Sequence, residues 1–182
     1  MNTTIDLIKS RASSPKLKGP APSPEEVDEI LKCALRAPDH ARLKTFKYHV
    51  VKGESLKALG DVYANSLDQN MASDKLEKCR NMPMRAPLMV VAICEPQENP
   101  KVPVIEQILS VGAGIQNMQI AISSLGYGSI WRTGDMAHAQ SVKKHFNVSE
   151  KGEIVGFIYI GTPEKSPNVS QANLDEFVEY WD

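Results

Sequence analysis

Between Leu35 and Phe46 the chain places Arg36, Asp39, His40, Arg42 and Lys44 around one proline, Pro38. Four of these side chains donate hydrogen bonds, and three are permanently cationic at neutral pH. A second donor-rich turn, Trp131-Arg132-Thr133-Gly134, lies far along the chain, and Arg11 and Ser13 stand near its start. An arginine beside a hydroxyl suits phosphate oxygens, and Trp131 with Arg132 suits the flank of a flat ring. Irregular, donor-rich loops carried on rigid elements are where ligands are held. The chemistry expected here is therefore the grip on a phosphorylated planar molecule. The plainer readings stand beside it. Arg11 can complement a helix end, Ser13 can sit in a turn, and Trp131 and Arg132 can be a half-buried aromatic with its snorkelling neighbour.

Other chemistries lack their residues. Gly112 and Gly114 fall inside a helical pattern with Asn117 at the third position, so the strand-turn-helix context of a dinucleotide loop is missing. Gly161-Thr162-Pro163 has no following Gly-Lys-Ser/Thr and is no phosphate loop. His40, His49, His138 and His145 show no metal-ligand spacing, so no metal is expected. His138 and His145 read as two turns of one solvated helix. Ser13 and Ser123 lack a nucleophile elbow, and no catalytic acid-base pair stands out.

The loops need elements to position them. Thr3 with Asp6 reads as a helix start, running to Lys9 or Arg11, and the proline-rich stretch to Pro24 as an extended connector. Ser23-Pro24-Glu25-Glu26 carries a capping box and a proline at the first helical position. Val27, Ile30, Leu31, Ala34 and Leu35 then form one apolar stripe, ended by Pro38 near Arg36. Strands are expected at Lys47–Lys52, Leu88–Cys94, Ser129–Arg132 and Ile154–Ile160, with Leu88–Cys94 covered on both faces. Helices are expected over Glu54–Leu67, Ser73–Arg80, Val104–Leu125 and from Asp135, as a cap, to Phe146. The helix from Val104 is apolar nearly all round, so it is buried or sandwiched between partners. Phe177, Tyr180 and Trp181 late in the tail suggest docking, a second copy of the chain being one candidate.

With 182 residues, the chain is expected to form one domain, 1–182, large enough for a real core. Apolar residues make up 42% and charged residues 24%, and the net charge is −1. That balance gives no global field toward nucleic acid or an anionic membrane. No apolar run has membrane-spanning length, and no secretory signal is visible. Three cysteines without a Cys-x-x-Cys argue for reduced thiols and a cytoplasmic location, with Cys33 and Cys94 as buried filler.

Taken in order, Arg11-Ala12-Ser13, Arg36-Ala37-Pro38-Asp39-His40, Arg85-Ala86-Pro87-Leu88, Lys101-Val102-Pro103, Gly126-Tyr127-Gly128, Ile130-Trp131-Arg132-Thr133-Gly134 and Gly161-Thr162-Pro163 resemble the nitroreductase family of flavoproteins. The match is to its short bacterial members, of the YdjA-like NAD(P)H nitroreductase type. The resemblance implies an α+β fold, a three-layer sandwich with a central mixed sheet flanked by helices. It implies an intertwined homodimer with FMN in each of two clefts between protomers. It assigns cofactor binding to Arg11, Ala12, Ser13, Arg36, His40, Trp131, Arg132 and Thr133, with Arg36 reaching across from the other subunit. Family descriptions add nicotinamide contact at Ala121, Ile122, Ser123, Ser124, Leu125 and Gly126. The implied activity is ping-pong transfer of hydride from NADH or NADPH, through flavin N5, to a nitroaromatic, quinone or related acceptor. The chemistry belongs to the flavin, so no catalytic side chain is required. Arg132, Lys44 and Arg42 are candidates for the cation near N1 and C2=O, and backbone near Thr133 for a donor to N5.

Two departures from the family pattern stand out. Ala12 replaces a second arginine, a lost contact that Lys165 or Arg42 can make good. Lys44-Thr45-Phe46 replaces a common Gln/Arg-Pro-Trp, a change that bears on pocket width and substrate choice. The alternative function is a flavin-binding protein without turnover, an FMN carrier or redox sensor. A third is an interaction protein with no cofactor.

Overall fold

The computed structural model describes residues 3–68, 70–165, 168–169 and 172–181. Five strands form one sheet. β2 (Phe46–Lys52), β3 (Leu88–Cys94) and β5 (Glu153–Pro163) lie side by side, and β5 carries both β4 (Gly128–Arg132) and the two-residue β1 (Leu17–Lys18) on its other edge. Around it are α1 (Thr3–Ser10), α2 (Pro24–Ala34), α3 (Glu54–Asn65), α4 (Ser73–Arg80), α5 (Val104–Ser124), α6 (Asp135–His138) and α7 (Gln140–His145).

β3 is the centre, and all seven of its residues are buried. Its side chains alternate, as a strand's period of two demands. Met89, Val91 and Ile93 enter a core shared with α3, α6 and α7, where Leu59, Tyr63, Met136 and Val142 meet them. Leu88, Val90, Ala92 and Cys94 enter the opposite core, against Ile30 of α2 and Val111, Ile115, Met118 and Ile122 of α5. Each fully buried aliphatic side chain contributes about 1.5–3 kcal/mol relative to exposure. The expected α+β three-layer sandwich is thus present, helices covering both faces of the sheet.

The sheet is not mixed, however. Every strand pairing among the described residues is antiparallel. The excursion through α3 and α4 returns the chain to the end of the sheet at which it left, Lys52 beside Leu88. The excursion through α6 and α7 does the same for β4 and β5, with Arg132 beside Phe157. Neighbours entered from the same end run in opposite directions.

Local signals read from the sequence act as expected at α2. Glu26 N donates to Ser23 Oγ at 3.2 Å, and Ser23 N donates to Glu26 Oε2 at 2.8 Å. α5 ends in a glycine motif, Gly126 having φ +84° while Tyr127 N donates to Ile122 O at 3.1 Å.

Four expectations are corrected. Thr3 is itself helical rather than a cap. Asp135 opens α6 from inside the helix, and the cap position is Gly134, which has no side chain with which to cap. His138 and His145 lie on two helices, because Ala139 is extended (φ −66°, ψ 123°) and interrupts the pattern. Cys33 is exposed, since the apolar stripe of α2 leaves it on the outer side, whereas Cys79 and Cys94 are buried. α5 buries one side within the protomer and leaves Ile105 60% and Leu109 63% exposed, which is compatible with the expected helix sandwiched between partners.

Candidate functional site

The loop from Arg36 to Lys44 is built tightly on α5. Ser110 Oγ donates to Pro38 O at 2.7 Å, and Gln97 Nε2 donates to Leu43 O at 2.8 Å. Asp39 does not neutralise a neighbouring cation. Its carboxylate accepts from the backbone of Leu43 (3.2 Å) and Lys44 (2.8 Å), closing the loop on itself. Ala41, Arg42 and Lys44 all hold left-handed backbone, with φ of 58°, 55° and 55°. Non-glycine residues are held there only where surroundings over-determine them. His40 Nδ1 lies 2.7 Å from Glu106 Oε2 on α5. Arg36, Arg42 and Lys44 have no ion-pair partner among the described residues. They present free positive charge on a stiff frame.

Arg11 and Ala12 sit elsewhere. They border a cleft of about 210 Å³ together with Ser123, Gly126 and Gly128. Ser14 N donates to Ser129 O at 2.9 Å, which moors this segment to the start of β4. Gly128 is required here, because a Cβ would lie 2.8 Å from Ser14 Oγ. The segment Ala121–Gly126 is the last turn of α5 with its cap. Ile122 is fully buried, whereas Ser123 and Gly126 reach the cleft.

Trp131, Arg132 and Thr133 lie at the far end of β4, on the rim of a cavity of about 670 Å³. Trp131 Nε1 donates to Val155 O at 3.1 Å, and the indole lies over Gly156, where any Cβ would overlap it. Tyr63, Phe157 and Tyr159 form aromatic wall. Lys75, Lys78 and Arg85 add charge that the sequence reading did not assign to a site. The signal available for them was weak: Lys75 and Lys78 are three apart on α4, an ordinary solvated spacing. Arg85 lies beside the Ala86-Pro87 turn. Burial pushes the Tyr159 phenol up, while the guanidiniums of Arg85 and Arg132 pull it down. Both cations are therefore within electrostatic reach of one hydroxyl. The donor set fits a flat, anionic molecule: aromatic surface, unpaired guanidiniums, and backbone at Gly134 with φ +76°.

Within one protomer the three clusters stay apart. Arg11 and Ala12 share a cleft with the end of α5, Trp131–Thr133 share the large cavity, His40 lies against the first half of α5, and Arg36 sits just past the end of α2. Ser13 is exposed. No cluster of metal-binding side chains occurs among the described residues. No helix there is long and apolar enough to cross a membrane.

The Nitroreductase family model matches residues 8–162. The chain is 34% identical over 180 residues to "Putative NAD(P)H nitroreductase YdjA" of Escherichia coli (strain K12), covering 97% of this chain and 98% of that protein. Among solved structures, a nitroreductase-like family protein of Bacillus cereus superposes with TM-score 0.88 at 22% identity, over 100% of this chain and 97% of that one. A "putative nitroreductase in complex with fmn" from Desulfovibrio desulfuricans superposes with TM-score 0.79 at 18% identity, over 100% and 98% of the two chains.

Proposed function

Because this chain belongs to the nitroreductase family, we propose that it is an FMN-dependent oxidoreductase driven by NADH or NADPH and working as a homodimer. Bound FMN supplies the redox chemistry, passing two electrons from NAD(P)H to a nitroaromatic, quinone or related acceptor in a ping-pong cycle. The side chains hold and orient. Arg11 and Ser13, moored to β4 through Ser14, take the phosphate and ribityl end, with Ser123 and Gly126 bordering the same cleft. Trp131, Arg132 and Thr133 take the ring, the indole fixed by Val155 and Gly156 and the backbone near Thr133 offering a donor. Arg132, on the cavity rim, supports the role of cation near the ring, and Arg42 and Lys44 belong to the loop of Arg36 and His40 and remain candidates from the partner subunit.

The observation that carries this reading is the cavity of about 670 Å³ whose rim is Trp131–Thr133. The partner subunit enters through α5. Its outer face exposes Val104, Ile105 and Leu109, and Leu35 of the loop below adds to them. A second copy docked there brings its own Arg36 and His40 to the first protomer's cleft. Phe177, Tyr180 and Trp181, largely exposed in the isolated chain, supply further apolar surface for the same contact.

The test is the absorption spectrum of the protein as isolated, followed by anaerobic titration with NADH and NADPH. A flavin spectrum that bleaches on titration is expected. A flavin that stays oxidised makes the protein a carrier or sensor, and a colourless protein after incubation with FMN removes the cofactor. Arg36→Ala and His40→Ala each lower the flavin content of purified protein; full occupancy in both variants overturns that assignment.

A further inference from the structure

We propose that the cavity between α4 and the Trp131–Gly134 turn is the acceptor site, and that it selects flat aromatic molecules bearing a carboxylate or similar anionic group. This rests on the oxidoreductase reading above and names the class of substrate it takes. Charge is the first argument. Lys75 and Lys78 from α4, Arg85 from the turn before β3, and Arg132 from β4 border one concavity, against a single carboxylate, Asp135. None of the four cations is in an ion pair among the described residues, although Arg80 nearby on α4 is paired with both Asp61 and Glu77. Unpaired like charges around a low-dielectric hollow focus its field toward anions.

The second argument is Tyr63. It lines the cavity and is 1% exposed, yet its hydroxyl has no hydrogen-bond partner. A buried donor left without an acceptor is costly, and native structures keep such groups mainly for a ligand or water. Burial, with Tyr159 and Cys79 adding to it, holds the phenol well above its ordinary range, so it stays a donor. The ring walls, Tyr63, Phe157 and Tyr159, offer faces and edges to a flat molecule.

Position is the third. The phosphate-side residue Arg11 shares its cleft with Gly128, at the opposite end of β4 from Arg132. With Arg132 at the ring, the cavity's other cations, Lys75, Lys78 and Arg85, are therefore free for a second ligand. For a nitroaromatic acceptor, one hydride from NAD(P)H and one solvent proton convert the nitro group to nitroso. One water leaves, and NAD(P)+ is released.

The experiment is calorimetric titration of the full chain with 4-nitrobenzoate and its neutral analogue 4-nitrobenzamide, without reductant, in the presence and absence of FMN. The anion is expected to bind about tenfold tighter, the preference shrinking when salt is raised to about 0.5 M. Lys78→Gln with Arg85→Gln removes most of the preference, and Tyr63→Phe, which keeps the packing, weakens the anion severalfold. Equal binding, tighter binding of the amide, or no binding of either overturns the proposal. So does a double variant that keeps the preference while losing flavin, since its cations then belong to the cofactor. A chain that takes up no flavin defeats the oxidoreductase reading, while the titration without FMN still decides the selectivity.

Discussion

Gly156 has no motif around it, yet the indole of Trp131 lies where its side chain would be. Gly156→Ala forces Trp131 off β5 and breaks its bond to Val155, at a cost of about 1–3 kcal/mol from overpacking. Tryptophan emission in a Trp181→Phe background reports the displacement, and an unchanged spectrum would refute it. His49 carries a different kind of strain. Its Nε2 is buried without a partner, and its ring packs on Phe146 with centroids 5.3 Å apart. Desolvation first, then Lys47 and His145, lower its pKa from the ordinary value of 6.5. The folded protein therefore binds this proton less readily than the unfolded chain. Stability from neutral His49 is complete above about pH 6.5 and is lost as pH falls toward the depressed folded value. Denaturant midpoints at pH 7.5 and 5.5 should separate more for the native chain than for His49→Gln. Equal separations would exclude His49 as the cause.

Among the elements, α2 was legible almost to the residue because its start signals are local. Ser23, Pro24 and Glu26 are contiguous, and the apolar stripe follows at once. Ser23→Ala opens the capping box and costs about 1 kcal/mol, measured as a lower urea midpoint with unchanged slope. A loss below the error of that measurement would mean that Tyr127, whose hydroxyl donates to Glu26 Oε2 at 3.0 Å, holds the helix start instead. α4 and β3 were read with their ends in place for the same reason. The break between α6 and α7 was not, because nothing but an alanine marks it. Only the extended backbone at Ala139 divides a pattern that reads as one amphipathic helix.

For the molecule as a whole, the informative feature is what α5 leaves uncovered. A helix apolar on nearly all sides was expected to be buried or sandwiched between partners, and one protomer covers one side of it. Under the homodimer reading, Leu109→Asp places a charge in the subunit contact. The expected result is a shift to monomer in sedimentation velocity, together with lower flavin content. A variant that stays dimeric with full flavin would move the interface away from α5.

The expectations drawn from contiguous residues, namely capping, periodicity, the covered strand Leu88–Cys94 and the glycine that ends α5, followed from the sequence alone, because backbone propensity and hydrophobic period act over a few residues. The family was legible too, since its marks are short motifs in a given order. The antiparallel sheet, the orphaned hydroxyl of Tyr63, and the meeting of Lys75, Lys78 and Arg85 with Arg132 were decided by tertiary structure. Those groups are some fifty residues apart along the chain, and only the path of β4 beside β5, with α4 packed on α3, brings them around one cavity.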